Sequence, residues 1–160
     1  MLAFLLSILL AIPTPGAMEG RDVAIYRGTS RFSSDIICTV RGDRVYKGDS
    51  SWSSDIICNI RGNRIYKNDS SWSSEIIFTI RDGKIYAGDS SWTSDILMNI
   101  RDGKIYSENS SWSSDIIANI RDGKVYAGDS SWSSDIMFSF DGYLSIEEFV
   151  AVWYVVNYVY

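Results

Sequence analysis

A 20-residue period governs this chain. Tyrosine stands at Tyr26, Tyr46, Tyr66, Tyr86, Tyr106 and Tyr126. Tryptophan stands at Trp52, Trp72, Trp92, Trp112 and Trp132, with Phe32 as the first member of that series. The unit reads SSWSSDIIxNIRDGKIYxGD and runs six times between Phe32 and Phe140. A unit this short cannot bury an apolar face alone, so the copies must stack and share a core. The 160 residues make one domain's worth of chain, and 46% apolar content argues against disorder.

Each unit carries two short strand candidates joined by two residues, as in Ile116–Ile120 and Lys124–Ala127 around Asp122-Gly123. Asp-Gly at 82–83, 102–103 and 122–123 suits a type I′ hairpin, whose two central residues both need positive φ. The earlier copies have Gly42-Asp43 and Gly62-Asn63, with glycine first, as a type II′ turn requires. Two chemical solutions at one site predict an antiparallel hairpin in every copy. The turn then sets the register: Arg121 opposite Lys124, Ile120 opposite Val125, Asn119 opposite Tyr126 and Ala118 opposite Ala127. This puts Ile116, Ala118, Ile120 and Val125 on the core face. Ile117, Asn119, Arg121, Lys124 and Tyr126 fall on a mixed, partly wet outer face. The column Cys38, Cys58, Phe78, Met98, Ala118, Phe138 is apolar throughout and varied in volume, as a packed core requires.

Six units supply about 12 strands, and an open meander of that size would leave two edges and a bare apolar face. The predicted fold is all-β: an antiparallel hairpin meander, closed into a ring or barrel or folded into two layers, with one apolar C-terminal helix. Ser145-Ile146-Glu147-Glu148 has the S-x-x-E form of a capping box, and the run Phe149 to Tyr160 that follows is apolar all round but for Asn157. That helix would plug or cap the inner face of a barrel too wide to fill itself. Its Val, Tyr, Trp and Phe also suit one or two further strands. A rival β-solenoid would stack equivalent strands in parallel and bring Cys38 and Cys58 to disulfide distance, whereas a meander keeps both thiols free.

The expected partition is an apolar leader over 1–17, a repeat domain over 18–144 and the helix over 145–160. Met1 to Ile12 has the length of a secretory signal's apolar region, with a cut after Ala17. It lacks a positive start, and Pro15 fits the site poorly; Met18 is an alternative start. The segment offers membrane contact, with secretion or the cell envelope as the implied location.

Composition excludes many functions. No histidine means no Ser-His-Asp triad and no imidazole metal cluster, and two cysteines cannot build a Cys₄ site. A net charge of −5 spread evenly along the chain does not suit nucleic acid. No carboxylate pair stands outside the repeat, so a catalytic role, a cofactor and a metal are not expected. Arg41-Gly42-Asp43 follows from turn chemistry. Asp141 to Phe149 resembles half of a calcium loop, but Met137 and Ser139 stand where carboxylates belong. Basic hairpin tips and acidic long loops suggest a barrel with one basic and one acidic rim.

The loops GDSSWSSD hold the functional candidates: Trp52, Trp72, Trp92, Trp112 and Trp132, with Asp55, Asp95 and Asp115. Tryptophan is highly buried on average, so the stronger reading is that each seals the end of the core. The sharper reading is a binding module. Indoles beside Ser and Asp stack on sugar rings and bond their hydroxyls, and six copies give multivalence. Its partner would be carbohydrate. The alternative is a self-assembling or membrane-associated protein whose partner is another copy. Ice binding ranks lower, because the serines flank Trp instead of forming a flat array.

The motifs DGKIY and SSWSSDI resemble those of bacterial short-repeat proteins with no established activity. The 20-residue period with aromatic hairpins is also similar to choline-binding and glucan-binding wall repeats. That similarity covers the period and the turn alone. The Trp-Tyr-Tyr runs and Gly-Trp starts of those families are absent here, so it implies no ligand residue at any position.

Overall fold

The computed structural model describes residues 21–160, so the leader expected over 1–17 lies outside the described residues. Twelve strands form one closed antiparallel barrel in chain order. They are β1 (Val23–Arg27), β2 (Ile36–Arg41), β3 (Arg44–Lys47), β4 (Ile56–Arg61), β5 (Arg64–Lys67), β6 (Ile76–Arg81), β7 (Lys84–Ala87), β8 (Ile96–Arg101), β9 (Lys104–Ser107), β10 (Ile116–Arg121), β11 (Lys124–Ala127) and β12 (Ile136–Phe140). Pairing within the β10–β11 hairpin runs Ala118–Ala127, Asn119–Tyr126, Ile120–Val125 and Arg121–Lys124, the register that the two-residue turn implies. Asp82 and Gly83 both have positive φ, as type I′ demands, while at 42–43 and 62–63 only the glycine does. A Cβ at Gly83 would also meet the Ile100 carbonyl oxygen at 2.7 Å, because the tip leans on the next hairpin.

The chain's two ends complete the ring. β12 pairs with β1 at Phe140–Ile25, Ser139–Tyr26 and Phe138–Arg27, matching the pairing inside the other hairpins, so the sixth hairpin is split between the termini of the repeat array. Closure removes both sheet edges.

Ser145 caps the helix α1 (Ile146–Tyr154): its side chain accepts from the Glu148 N–H at 3.1 Å, and the Glu148 carboxylate accepts from the Ser145 N–H at 2.8 Å. The five consecutive residues Phe149 to Trp153 are all buried. At 100° per residue they cover the full circumference, so the helix is surrounded, as a plug inside the barrel must be. It shares one apolar cluster with Ile25, Cys38, Val45, Cys58, Ile65, Phe78, Ile85, Met98, Ile105, Ala118, Val125 and Phe138. Val155–Val159 widens into a π turn, and Tyr154 and Tyr158 pack edge-on against Phe78. Cys38 and Cys58 are free and buried, on strands separated by β3. The solenoid reading falls with that order.

Three expectations need correction. First, Ile116 is not on the core face. Each first strand bulges at its second residue, so Ile116 pairs with Tyr106 while Ala118 pairs with Ile105. A bulge sets two residues against one and re-aims the side chain before it. Ile56, Ile96 and Ile116 are buried outside the interior cluster, whereas Ile37, Ile57, Ile77 and Met137 pack against it. Second, the outer face is partly wet as expected, with Arg121 exposed and Lys124 and Tyr126 half-buried, but its centre is dry. Thr39, Asn59, Thr79, Asn99, Asn119 and Ser139 are buried there. Third, there are no opposed basic and acidic rims. After each second strand a residue with positive φ turns the long loop back over the outer wall, with Gly48, Gly88 and Gly128 at that bend. Asn59 Nδ2 donates to the carbonyls of Asn68 and Ser70 at 2.9 and 2.8 Å, and Asn99 and Asn119 repeat the pattern. The loop carboxylates then meet the tip cations: Arg44–Asp69 at 2.9 Å, Arg64–Asp89 at 2.8 Å and Lys104–Asp129 at 3.2 Å. The Asp69 hydrogen bond, then the nearby Asp43 charge, holds the Arg44 guanidinium above its ordinary pKa.

Two outcomes follow from this packing. Asn59→Ala strands two loop carbonyls against the wall and is expected to cost about 1–3 kcal/mol in urea unfolding. Burial, the largest cause, pushes the Cys58 thiol up to about 12 and raises Cys38 as well. A raised thiol pKa favours the folded state fully below the unfolded value of about 8.5, and that advantage is lost as pH rises. Stability is therefore expected to fall above about pH 8.5, and less steeply in a Cys38→Ala/Cys58→Ala variant.

Candidate functional site

Five of the six outer loops share one small device, and the loop at Ser70, where Glu75 stands in place of aspartate, keeps the serine bond to the Trp72 N–H. In the second copy Ser50 Oγ accepts the Trp52 N–H at 3.1 Å and donates to the Asp55 carboxylate at 2.6 Å, while the Asp55 N–H donates to the Trp52 carbonyl at 2.9 Å. Ser and Asp side chains thus replace water for the loop backbone, the usual use of these residues in turns. The same Ser-to-Asp bond recurs at Ser90–Asp95, Ser110–Asp115 and Ser130–Asp135. The three residues Ser53–Asp55 form a single 3₁₀ turn that returns the chain to β4.

With the backbone tied down, the aromatic side chain is thrust outward. Phe32, Trp52, Trp92, Trp112 and Trp132 are each 75% exposed and Trp72 is 76% exposed. The expectation that these rings seal the core is overturned. The helix already fills the barrel, and the loops lie on the outer wall, away from the core's ends. The near-identical exposures mean that the six rings have the same surroundings and that no neighbouring loop covers any of them. Ser51, Ser53 and Ser54 beside Trp52 are exposed too, so each indole carries hydroxyls at its flanks.

The structure separates the two kinds of candidate residue. Trp52, Trp72, Trp92, Trp112 and Trp132 face solvent. Asp55, Asp95 and Asp115 are half-buried, each with one carboxylate oxygen committed to the serine five residues earlier. Ser94 and Ser114 approach the other oxygen of Asp95 and Asp115 at 3.4 and 3.3 Å. These carboxylates therefore shape the loop on which the indole is displayed.

Sequence reasoning missed two features. One is the role of Ser50, Ser70, Ser90, Ser110 and Ser130 as loop hubs. The signal was present, since an acid follows each of them by five residues. The other is the barrel mouth where the chain ends: Leu97, Ile117, Tyr158, Val159 and Tyr160 are exposed there. Leu97 of β8 and Ile117 of β10 stand exposed at this end, whereas the equivalent Ile37, Ile57 and Ile77 pack against the core cluster. The bulge that redirected these strand positions could not be read from alternation. Tyrosines on the wall carry guanidinium groups: Arg101 lies 4.9 Å and Arg121 5.3 Å from the ring centres of Tyr106 and Tyr126.

Among the described residues no group of three or more acidic or thiol side chains is arranged to hold a metal ion. No helix there is long and apolar enough to cross a membrane. No curated protein and no solved structure matches the chain. A family model described as the 6-fold beta flower protein matches residues 25–153, from β1 of the ring to the plugging helix. The chain belongs to the 6-fold beta flower family.

Proposed function

We propose that this protein is a non-catalytic, multivalent binding module whose six outward aromatic rings contact carbohydrate. The observation that carries this reading is the equal, three-quarters exposure of Phe32 and the five loop tryptophans. Six aromatic rings, held outward by the same loop at every repeat, make a regular array of contact points around the barrel. Tryptophan supplies a flat apolar face with a polar N–H at its edge, which suits a ligand that is itself apolar on one side and hydroxylated on the other. The flanking serines add donors and acceptors. A lipid surface fits less well, because the net charge of −5 is repelled by anionic headgroups. Each ring alone offers a flat, weak contact. Six on one rigid barrel gain strength by avidity on a repeating polymer.

A second reading rests on the exposed apolar mouth formed by Leu97, Ile117, Tyr158, Val159 and Tyr160, which suits pairing of two barrels mouth to mouth. Sedimentation that depends on protein concentration and is abolished by Leu97→Asp/Ile117→Asp would establish it.

The carbohydrate reading is tested on soluble polysaccharides by affinity electrophoresis. A retarding polysaccharide is expected, and Trp52→Ala/Trp72→Ala/Trp92→Ala should weaken it by roughly 10²-fold. Stability should change by about 0.5 kcal/mol or less per site, as for exposed positions. Iodide is expected to quench the five loop indoles and spare the buried Trp153. Polysaccharide binding that is indifferent to the triple substitution, or no binding to any polysaccharide, would contradict it.

A further inference from the structure

The aromatic rings are anchored to particular strands of the wall. On β4, Asn59 donates to the Ser70 carbonyl at 2.8 Å, and Ser70 Oγ accepts the Trp72 N–H at 3.1 Å. On β10, Asn119 donates to the Ser130 carbonyl at 2.8 Å, and Ser130 Oγ accepts the Trp132 N–H at 3.1 Å. Asn99 on β8 holds Ser110 and Trp112 in the same way. On β2, Arg41 donates to the Ser50 carbonyl at 3.1 Å, and Ser50 accepts the Trp52 N–H. Asn59 and Asn119 stand inside their strands, paired with Tyr66 and Tyr126. The rings are thus carried on the flank of the barrel and not at its ends.

The order of the strands then decides which rings face which way. In the closed ring β4 and β10 lie six steps apart in either direction, and so do β2 and β8. Trp72 is therefore diametrically opposite Trp132, and Trp52 opposite Trp112. β6 and β12 make the third such pair. There Thr79 donates to the Gly88 carbonyl and Ser139 to the Gly28 carbonyl, which sets the Trp92 and Phe32 loops on opposite sides. Six strand steps of about 4.8 Å put opposite walls about 18 Å apart before the loops are added. The space between them is filled by α1, so no ligand threads from one flank to the other. The serine-to-aspartate bonds at Ser50, Ser90, Ser110 and Ser130 fix the loops, and the equal exposure of the rings shows that none leans toward a neighbour.

A single extended polymer meets such a barrel along one flank. It engages a few neighbouring rings and leaves the opposed ones free. On the basis of the carbohydrate reading above, we infer that the protein is a cross-linker, in which opposite flanks of one barrel hold two separate chains of a neutral polysaccharide. A net charge of −5 disfavours an acidic polymer. Affinity for one chain and the joining of two are then distinct properties of the same six rings. The first depends on neighbours and the second on opposites.

The test compares the full chain with two variants in semi-dilute hydroxyethyl cellulose, dextran and galactomannan. Trp92→Ala/Trp112→Ala/Trp132→Ala keeps Phe32, Trp52 and Trp72, neighbours on one flank. Trp52→Ala/Trp112→Ala keeps two neighbouring pairs, Phe32 with Trp132 and Trp72 with Trp92, on opposite flanks. Both variants keep Leu97 and Ile117, so pairing of barrels through the mouth contributes equally to each. Affinity electrophoresis reports binding, and zero-shear viscosity reports bridging at concentrations where each variant is bound. In a polysaccharide that retards the protein, the full chain and the two-flank variant are expected to raise the viscosity by about threefold. The one-flank variant is expected to bind without raising it. Retardation of the full chain with unchanged viscosity would overturn the inference and leave the carbohydrate reading standing, with one chain wrapped round one barrel. An equal rise with both variants would overturn it too. No retardation by any of the three polysaccharides would remove the carbohydrate reading, and the cross-linking inference with it.

Discussion

The structure depends on the mismatch between a twelve-strand barrel and the side chains that line it. A ring of about eight strands can be filled by its own residues, and a wider one leaves a lumen. Six hairpins are closed by the meeting of β12 and β1, so the strand number is set by the repeat number and cannot shrink to suit the core. The lumen must be filled by something outside the repeat. The helix does this, and its composition shows it: Phe149-Val150-Ala151-Val152-Trp153 presents apolar surface in every direction. A near six-fold wall thus encloses a filler with no six-fold symmetry. The column from Cys38 to Phe138, apolar throughout but varied in volume, is where the two are reconciled.

A second consequence concerns the loops. Because the interior is occupied, the long connections have no core to cover and fold back on the outside. There they shield a ring of Thr, Asn and Ser side chains, whose amides and hydroxyls satisfy the loop backbone. The tip cations tie each loop to the hairpin before it, at a spacing of 25 residues: Arg44–Asp69, Arg64–Asp89, Lys104–Asp129. Where Asn109 replaces the acid, Lys84 has no carboxylate at that spacing. These pairs are exposed and individually weak. Their contribution is alignment of neighbouring repeats. With both ends fixed, the aromatic ring at each apex has nowhere to go but outward.

Much of this was legible in the sequence because it is local. The turn pairs Gly42-Asp43 and Asp122-Gly123 dictate hairpins, and hairpins dictate register. The cap Ser145 and Glu148 announced the helix, and its all-round apolarity announced the plug. What could not be read depends on where loops go once the core is full. Alternation places Asn119 and Tyr126 on the outer face, yet nothing in it shows that Asn119 is covered by residues 128–130. The bulge at Ile117 inverts the roles of two adjacent isoleucines, a change that a pattern of apolar residues on both faces conceals. Average behaviour places Trp112 in the core, and the average fails because the core has another filler.

The most direct measurement of the central claim is cooperative unfolding of a chain ending at Tyr143, compared with the full chain, followed by near-ultraviolet circular dichroism and urea titration. If the barrel requires its plug, the shortened chain will lose near-ultraviolet signal and unfold without a sharp transition. A native-like spectrum and a sharp transition in the chain without residues 144–160 would show that the twelve strands stand without a filler.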